Sequence, residues 1–346
     1  MPANKADDRW MKAALEEARR GSGFTSPNPA VGAVLVQGDK LLARGYHRRA
    51  GEAHAEVDCL RAWGRTVPSR ARLYVTLEPC STVGRTGACT DAIIKAGVKR
   101  LIVGATDPNP AHCGQGLEAL RNAGVAVVAG VLKKECAALN EAWNKWIQTR
   151  RPFVYAKCGM SLDGRLTRPP GEPQWLTNAE SRRHSHSLRA RVDAILIGAG
   201  TLRADNPRLS VRTTPRAPQP WRVVLSRSEV LSKKSHIFTD RSAHRTLVYN
   251  SGSLSAALEQ LGAREITSVL LEGGGDILGQ ALDARLIDKF YVYLAPMFTG
   301  GPVIAFAGDG VSSTDQAARL HNLTYLRFGE DICITGYPSY PAAERE

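Results

Sequence analysis

The chain has 346 residues, 43% of them hydrophobic and 23% charged, which is enough for two domains with separate cores and unlike a disordered, collagen-like or coiled-coil composition. Its formal net charge of +13 suits polyanions or phosphorylated small molecules. The basic residues are scattered in short clusters such as YHRRAG, TRRPF and SRRH, with no long aromatic-interleaved tract, so a solvated surface is expected rather than a nucleic-acid face.

The stretch MPANKADDRWMKAALEEARR carries an apolar stripe at Trp10, Met11, Ala14, Leu15 and Ala18, spaced for a helix and unlike a secretory signal. AVGAVLVQGDKLLARGY reads as two strands about a QGDK turn. A helix is expected over 53–63, a strand at RLYVTLEP, a helix at DAIIKAG ended by Gly97, and a strand at KRLIVGAT. A helix at GLEALRNAG closed by Gly124, a strand at VAVVAGVL, and one helix over 133–148 carrying Trp143 and Trp146 complete this half. TRRPF at 149–153 is a junction, since Pro152 disfavours continuing a helix; it divides the chain into 1–149 and 150–346.

Alternation then restarts with a strand at FVYAKC, a Gly/Pro loop at PPGEPQW, a helix near 178–190 and a strand in VDAILIGAG. Strands at RVVLS, RTLVY, SVLLEG and KFYVYLAP follow, with helices around 254–261 and 276–284. Both halves are α/β. Seven scattered cysteines and the lack of a bilayer-length apolar run suggest a cytoplasmic protein with free or metal-bound thiols and no membrane partner.

Two stretches of the first half carry chemistry. GEAHAEVDCL sets His54 two residues before Glu56 at the mouth of an expected helix, and LEPCSTVGRTGACTDAII adds Cys80 and Cys89. One imidazole and two thiols leave a fourth position open, as a catalytic zinc site requires. Helix N-termini favour thiolate, which helps seat a dication. Zinc lowers the pKa of bound water, and Glu56 is placed to carry a proton to a ring nitrogen and to departing ammonia. Each fragment alone is an ordinary surface pair or turn; in this order they form a coherent site.

The order H-x-E…P-C…C resembles the cytidine-deaminase-like zinc fold, whose usual form has two residues between the cysteines; here there are eight. With SPNPAVGAV, GYHRRAGEAHAEV, YVTLEPCS and GATDPNP, the half resembles the deaminase domain of the bifunctional riboflavin-biosynthesis deaminase/reductase family. The resemblance implies zinc on His54, Cys80 and Cys89, proton transfer by Glu56, and contacts from Asn28, His47 and Arg85 to a phosphorylated pyrimidine. Asn28 offers a donor and an acceptor to a ring edge, and Arg85 a fork to phosphate. The family reads CSHxGRTPPC where this chain reads CSTVGRTGAC, so Thr82 replaces a substrate-facing histidine and Gly87-Ala88 replace a rigid Pro-Pro.

In the second half, KCGMSLDGRL, QWLTNAESRRHSHSLRA, ILIGAGTLRADNPRLSVR and LLEGGGDILGQAL each run from a strand end or helix into a Gly-rich or polar loop, where open α/β sheets place ligands. GGGD before ILGQAL offers free amides to a phosphate at a helix start, without the G-x-G-x-x-G fingerprint. These stretches resemble the reductase domain of the same family, which implies a dihydrofolate-reductase-like α/β C-terminal domain beside a cytidine-deaminase-like α/β/α N-terminal domain. The implied cofactor is NADPH, contacted by Gly159, Trp175, Thr201, Asp205, Ser226 and the run Gly274, Gly275, Asp276, Ile277, Leu278, Gly279 and Gln280. Implied substrate contacts are Arg189, Leu209, Arg212 and Glu272, with Arg189 and Arg212 as phosphate clamps. Pro173, in the PPGEPQW loop, is an implied substrate-binding position where the family has the serine of GESQW. Lys157 and Glu272 are candidates for polarising and protonating the sugar group that receives hydride.

The expected activity is deamination of a diaminohydroxyphosphoribosylaminopyrimidine, then NADPH reduction of the ribosyl chain to ribityl. A nucleic-acid base deaminase with an accessory domain, a reductase with a silent deaminase half, and a non-catalytic binding protein are the alternatives. The implied partners are phosphorylated pyrimidines, with a homo-oligomer left open.

Overall fold

The computed structural model describes residues 5–82, 87–110, 112–167, 175–212, 218–227, 231–250 and 252–341. Arg85 and Pro173 lie outside the described residues. The chain divides into two units, Met1–Arg150 and Arg151–Glu346.

The first unit runs α1 (Lys5–Arg19), β1 (Gly32–Gln37), β2 (Lys40–Tyr46), α2 (Ala55–Trp63), β3 (Arg72–Leu77), α3 (Cys89–Lys95), β4 (Arg100–Ala105), α4 (Gln115–Asn122) and β5 (Ala126–Ala129). The strands pair in the order β2-β1-β3-β4-β5, with β1 antiparallel to both neighbours and β3, β4 and β5 parallel. Alternation along the strands explains the layers. Val34, Val36 and Tyr74 pack with Trp10, Met11, Ala14 and Leu15 of α1. Ala33, Leu35, Leu73 and Val75 cluster with Cys59 of α2, Ile93 of α3, and Leu117 and Leu120 of α4. Each fully buried large apolar side chain contributes about 1.5–3 kcal/mol. A side chain at Gly45 would overlap the backbone of Ala55 and Cys59. Glycine there lets α2 lie directly on β2, which sets the position of His54 and Glu56.

The helix expected over 133–148 is two helices, α5 (Lys133–Leu139) and α6 (Glu141–Thr149), interrupted at Asn140. The Asn140 side chain accepts the Ala30 N–H at 2.8 Å and donates to the Ala30 carbonyl at 2.9 Å. This buried pairing competes with helix continuation and anchors the loop carrying Asn28.

The second unit runs β6 (Phe153–Ser161), α7 (Ala179–Leu188), β7 (Ala194–Gly198), α8 (Ala199–Asp205), β8 (Trp221–Leu225), α9 (His236–Thr239), β9 (Thr246–Tyr249), α10 (Leu254–Ala263), β10 (Ser268–Leu271), α11 (Gly275–Asp283), β11 (Lys289–Ala295), β12 (Arg319–Phe328) and β13 (Asp331–Ser339). The sheet order is β12-β13-β11-β6-β10-β7-β8-β9. The β11-to-β9 portion is parallel, and the β12–β13 hairpin adds antiparallel pairings at one edge. Strands β7 and β10 are buried throughout, which is why AILIG and SVLL are uninterrupted apolar runs. The hairpin β12–β13 and helices α8 and α9 go beyond the expected elements. LTYLRFGEDICITGY does carry two alternating runs about a Gly-Glu turn. No helix among the described residues is long and apolar enough to cross a membrane.

Candidate active sites

Three chain segments converge in the first unit. His54 is the N-cap of α2, Cys80 follows β3, and Cys89 opens α3. His54 Nδ1 lies 3.2 Å from Cys89 Sγ and 3.5 Å from Cys80 Sγ, and the ligand atoms of all three lie within 4.8 Å of one another. With Zn–S near 2.3 Å and Zn–N near 2.0 Å, a tetrahedral ion needs donor–donor edges of roughly 3.3–3.8 Å, so this donor set fits a single zinc.

The Cys89 backbone N–H donates to Cys80 Sγ at 3.4 Å. Hydrogen bonding from the Cys89 thiol, against burial and with help from His54, holds the Cys80 thiol down at about 4. That same bond, with burial and the Glu56 charge, pushes the Cys89 thiol up: the first negative charge opposes a second. A dication between them reverses that repulsion. The hydrogen bond with Cys80 raises the His54 pKa despite burial.

Glu56, in the first turn of α2, is 3% exposed, and burial pushes its carboxyl up to about 7. His47 Nδ1 is 3.0 Å from the Ala53 carbonyl and therefore carries the proton, which leaves Nε2 to accept from Asn28 Nδ2 at 3.1 Å. Burial lowers the His47 pKa in spite of the Ala53 carbonyl, so the ring is neutral. Its centroid lies 5.1 Å from that of His54, edge-on. Asn28, His47 and His54 thus form one contiguous row. A groove of about 670 Å³ opens beside His54, bordered by Arg48, Glu52, Arg61 and Ala88. Thr82 and Gly87 are exposed.

In the second unit Arg189, just after α7, meets Glu272, just after β10. Nε–Oε1 and Nη2–Oε2 are both 2.7 Å, and each side chain is 9% exposed. Nη1 of Arg189 donates to the Ser210 carbonyl at 3.3 Å. Burial alone would raise the Glu272 carboxyl, but the charge and hydrogen bonds of Arg189, joined by the charges of Lys157 and His186, hold it at about 2. Glu272 is therefore ionised at neutral pH, which does not suit the expected role of proton donor. The fork of Arg189 is likewise filled, which leaves the exposed Arg212 as the freer phosphate partner of the expected pair.

The sequence reading missed His186. Burial first, then the charges of Arg189, Arg212 and Lys157, push its imidazole down to about 4, which leaves a neutral ring among charged groups. Its place three residues before Arg189 in SHSLRA is the i, i+3 spacing that puts two side chains on one helix face.

At the carboxyl ends of the adjacent parallel strands β7 and β10, α8 and α11 begin with Gly198 and Gly274 as N-caps. The Gly274 N–H donates to Thr201 Oγ1 at 3.0 Å and ties the two helix starts together. Paired positive helix ends at the sheet's carboxyl edge fit the phosphates of a nicotinamide cofactor. Within the expected cofactor run, Ile277 and Leu278 belong to the core. A side chain at Gly275 or Gly279 would overlap the backbone of Ile304 or Ala307, so these two glycines admit the chain's own loop, while Asp276 and Gln280 are exposed. Gly159 faces Thr177, whose Cγ2 would lie 3.3 Å from an added Cβ. Trp175 is 47% exposed beneath the Arg182 guanidinium, Asp205 is exposed, and Ser226 is buried at the end of β8. Leu209, at φ +50°, places its side chain in a core cluster, so any ligand contact there falls to its backbone.

Comparison with known proteins gives the family of each half. Residues 4–105 match the cytidine and deoxycytidylate deaminase zinc-binding region, and residues 152–334 match the RibD C-terminal domain. The chain is 36% identical to the riboflavin biosynthesis protein RibD of Aquifex aeolicus, covering 95% of this chain and 97% of that one. It is also 36% identical to the RibD of Escherichia coli, covering 95% and 98%. Among solved structures, Acinetobacter baumannii RibD superposes with a TM-score of 0.89 at 34% identity, covering 97% of this chain and 99% of that one. The Thermotoga maritima diaminohydroxyphosphoribosylaminopyrimidine deaminase/5-amino-6-(5-phosphoribosylamino)uracil reductase superposes at 0.87 with 32% identity, covering 96% and 99%. A cytidine-deaminase-like domain and a RibD reductase domain in one chain, matched over nearly its whole length, place this protein in the RibD family of bifunctional riboflavin-biosynthesis deaminase/reductases.

Proposed function

We propose that residues 1–149 hydrolytically deaminate diaminohydroxyphosphoribosylaminopyrimidine, and that residues 150–346 reduce the ribosyl group of the resulting 5-amino-6-(5-phosphoribosylamino)uracil to ribityl with NADPH. The observation that carries this reading is the convergence of His54, Cys80 and Cys89 within 4.8 Å beside the buried Glu56.

His54, Cys80 and Cys89 hold the zinc, which when bound supplies Lewis acidity that makes water nucleophilic near neutral pH. Glu56, pushed up to about 7, exchanges protons in that range. It takes one proton from the attacking water and passes it to the ring nitrogen, then takes the second from the hydroxyl so added and passes it to the amino group, which leaves as ammonia as the carbonyl forms. Neutral His47 holds the Asn28 amide by its donor side, leaving the Asn28 oxygen to accept from the ring's amino group. Arg85 is the proposed phosphate partner.

In the reductase half, NADPH supplies hydride. Glu272, kept ionised by Arg189, accepts hydrogen bonds from substrate and fixes its orientation. Lys157 then remains as the donor that polarises and protonates the sugar oxygen, and Arg212 grips the phosphate. Thr201 and the Gly274 amide that it anchors are the proposed seat of the cofactor's phosphates.

The test supplies the diaminopyrimidine phosphate with NADPH and follows both products. Ammonia is expected first, and NADPH oxidation only after it; supplied aminouracil is expected to oxidise NADPH directly. NADPH oxidation on aminouracil without any ammonia release would reduce the chain to a reductase with a silent first half, which the Thr82 and Gly87-Ala88 departures make the second reading.

A further inference from the structure

Glu78 lies two residues before Cys80, is 6% exposed, and has no part in the chemistry above. Its own N–H bonds to the Ala105 carbonyl at 2.9 Å, so it continues the β3–β4 pairing past the end of the strand. Its side chain leaves the sheet and accepts four backbone N–H groups. Oε2 takes those of Asp107 (3.1 Å) and Gly114 (3.0 Å), and Oε1 takes those of Gly116 (3.0 Å) and Leu117 (3.3 Å). All four donors come from one stretch, the loop after β4 and the first turn of α4. That turn presses on the peptide before the ligand, because a side chain at Gly116 would overlap the Pro79 carbonyl. The Cys80 carbonyl in turn accepts the Thr90 N–H at 3.2 Å, in the turn that starts at the second thiol.

From this geometry we infer that Glu78 is a positioning residue for the metal centre: by holding the backbone of Asp107, Gly114, Gly116 and Leu117 against Pro79 it fixes where Cys80 presents its sulfur to the cation. The inference rests on the zinc reading of His54, Cys80 and Cys89. Four main-chain donors around one carboxyl leave little rotational freedom, and an amide cannot replace it. Gln would turn its NH₂ toward two of those N–H groups, which would leave two buried donors unpaired. The clamp would then loosen on the side facing Cys80. Groups that orient ligands from behind typically govern metal affinity by about 10–100-fold.

The experiment uses the full chain as wild type, Glu78→Gln, Glu78→Asp and Leu120→Ala. Leu120 is a fully buried residue of α4 outside the site and serves as a control for general destabilisation. Zinc dissociation constants are measured by competition with a chromophoric chelator well below each melting temperature, alongside kcat and KM for ammonia release at limiting and at excess zinc. Glu78→Gln is expected to weaken zinc binding at least about tenfold, with excess zinc restoring kcat and leaving KM near wild type. Glu78→Asp should fall between, and Leu120→Ala should lower the melting temperature while keeping zinc affinity. Zinc affinity of Glu78→Gln within twofold of wild type, or a loss no larger than that of Leu120→Ala, overturns the positioning role alone. A wild-type chain that binds no zinc overturns the reading of the site, and the role of Glu78 with it.

Discussion

Arg189 and Glu272 face each other through two parallel 2.7 Å hydrogen bonds, with each side chain only 9% exposed. The pair holds the Glu272 carboxyl at about 2, below its ordinary 4.5. Between those values the unfolded chain binds a proton that the folded chain refuses, so stability rises with pH. The pair's contribution is complete above pH 4.5 and is lost as pH falls through about 2.

Glu272→Gln should therefore lower the unfolding free energy of the second unit at pH 7 by about 3–5 kcal/mol, since it strands a buried guanidinium. The same variant should show a flatter fall in stability between pH 4.5 and 2, the range set by the Glu272 shift. Urea unfolding at stepped pH reads both. The double change Arg189→Met with Glu272→Leu should recover most of the stability and none of the reductase activity, which separates packing from chemistry. An acid limb identical in wild type and Glu272→Gln would contradict the assignment.

Glu56→Gln should cut ammonia release by about 10²–10⁴-fold, the usual worth of a positioned general acid–base. Bound zinc and NADPH oxidation on supplied aminouracil should stay within twofold of wild type. Loss of both activities together would contradict independent sites.

The Ala53 carbonyl fixes the His47 tautomer, and the Asn28–His47 bond of 3.1 Å then fixes the amide orientation. Asn28→Ala should raise KM for the pyrimidine about tenfold, the value of one hydrogen bond of about 1.4 kcal/mol, with zinc content unchanged. Steady-state kinetics beside metal analysis decide it; an unchanged KM would remove Asn28 from the substrate site.

Gly275 and Thr201 sit on the same helix junction yet should respond differently. Gly275→Ala forces a methyl into the Ile304 backbone and should destabilise the second unit by about 1–3 kcal/mol. Thr201→Val removes the acceptor of the Gly274 N–H and should raise KM for NADPH about tenfold with a smaller change in melting temperature. The reverse pattern would put the cofactor on the Gly275 face.

Much of this was legible in the sequence because periodicity and turn chemistry are local. The apolar stripe of α1, the β1–β2 turn and most of the alternating elements up to β11, with α8, α9 and the α5–α6 break excepted, follow from spacing within a few residues. The convergence of His54, Cys80 and Cys89 was legible because the H-x-E signal sits at an expected helix start and the P-C signal at the end of an apolar strand. What stayed hidden depends on distant partners. Asn140 interrupts a helix because its amide pairs with the Ala30 backbone 110 residues away, which no local pattern records. Arg189 reads as a phosphate clamp until Glu272, 83 residues on, fills its fork. The GGGDILG run reads as a ligand cradle throughout, yet Gly275 and Gly279 are small to admit residues 304–308. The β12–β13 hairpin carried its alternation openly but lies past the last α/β repeat.

The proposed first reaction needs one imidazole and two sulfurs to share a zinc ion. Metal analysis of the purified chain beside His54→Ala, Cys80→Ser and Cys89→Ser, with ammonia release measured on the same samples, tests it most directly. The account predicts about one zinc per chain in the wild type, with zinc and ammonia release falling together in all three variants. A wild-type chain that releases ammonia without bound metal, or variants that keep their zinc, would contradict it.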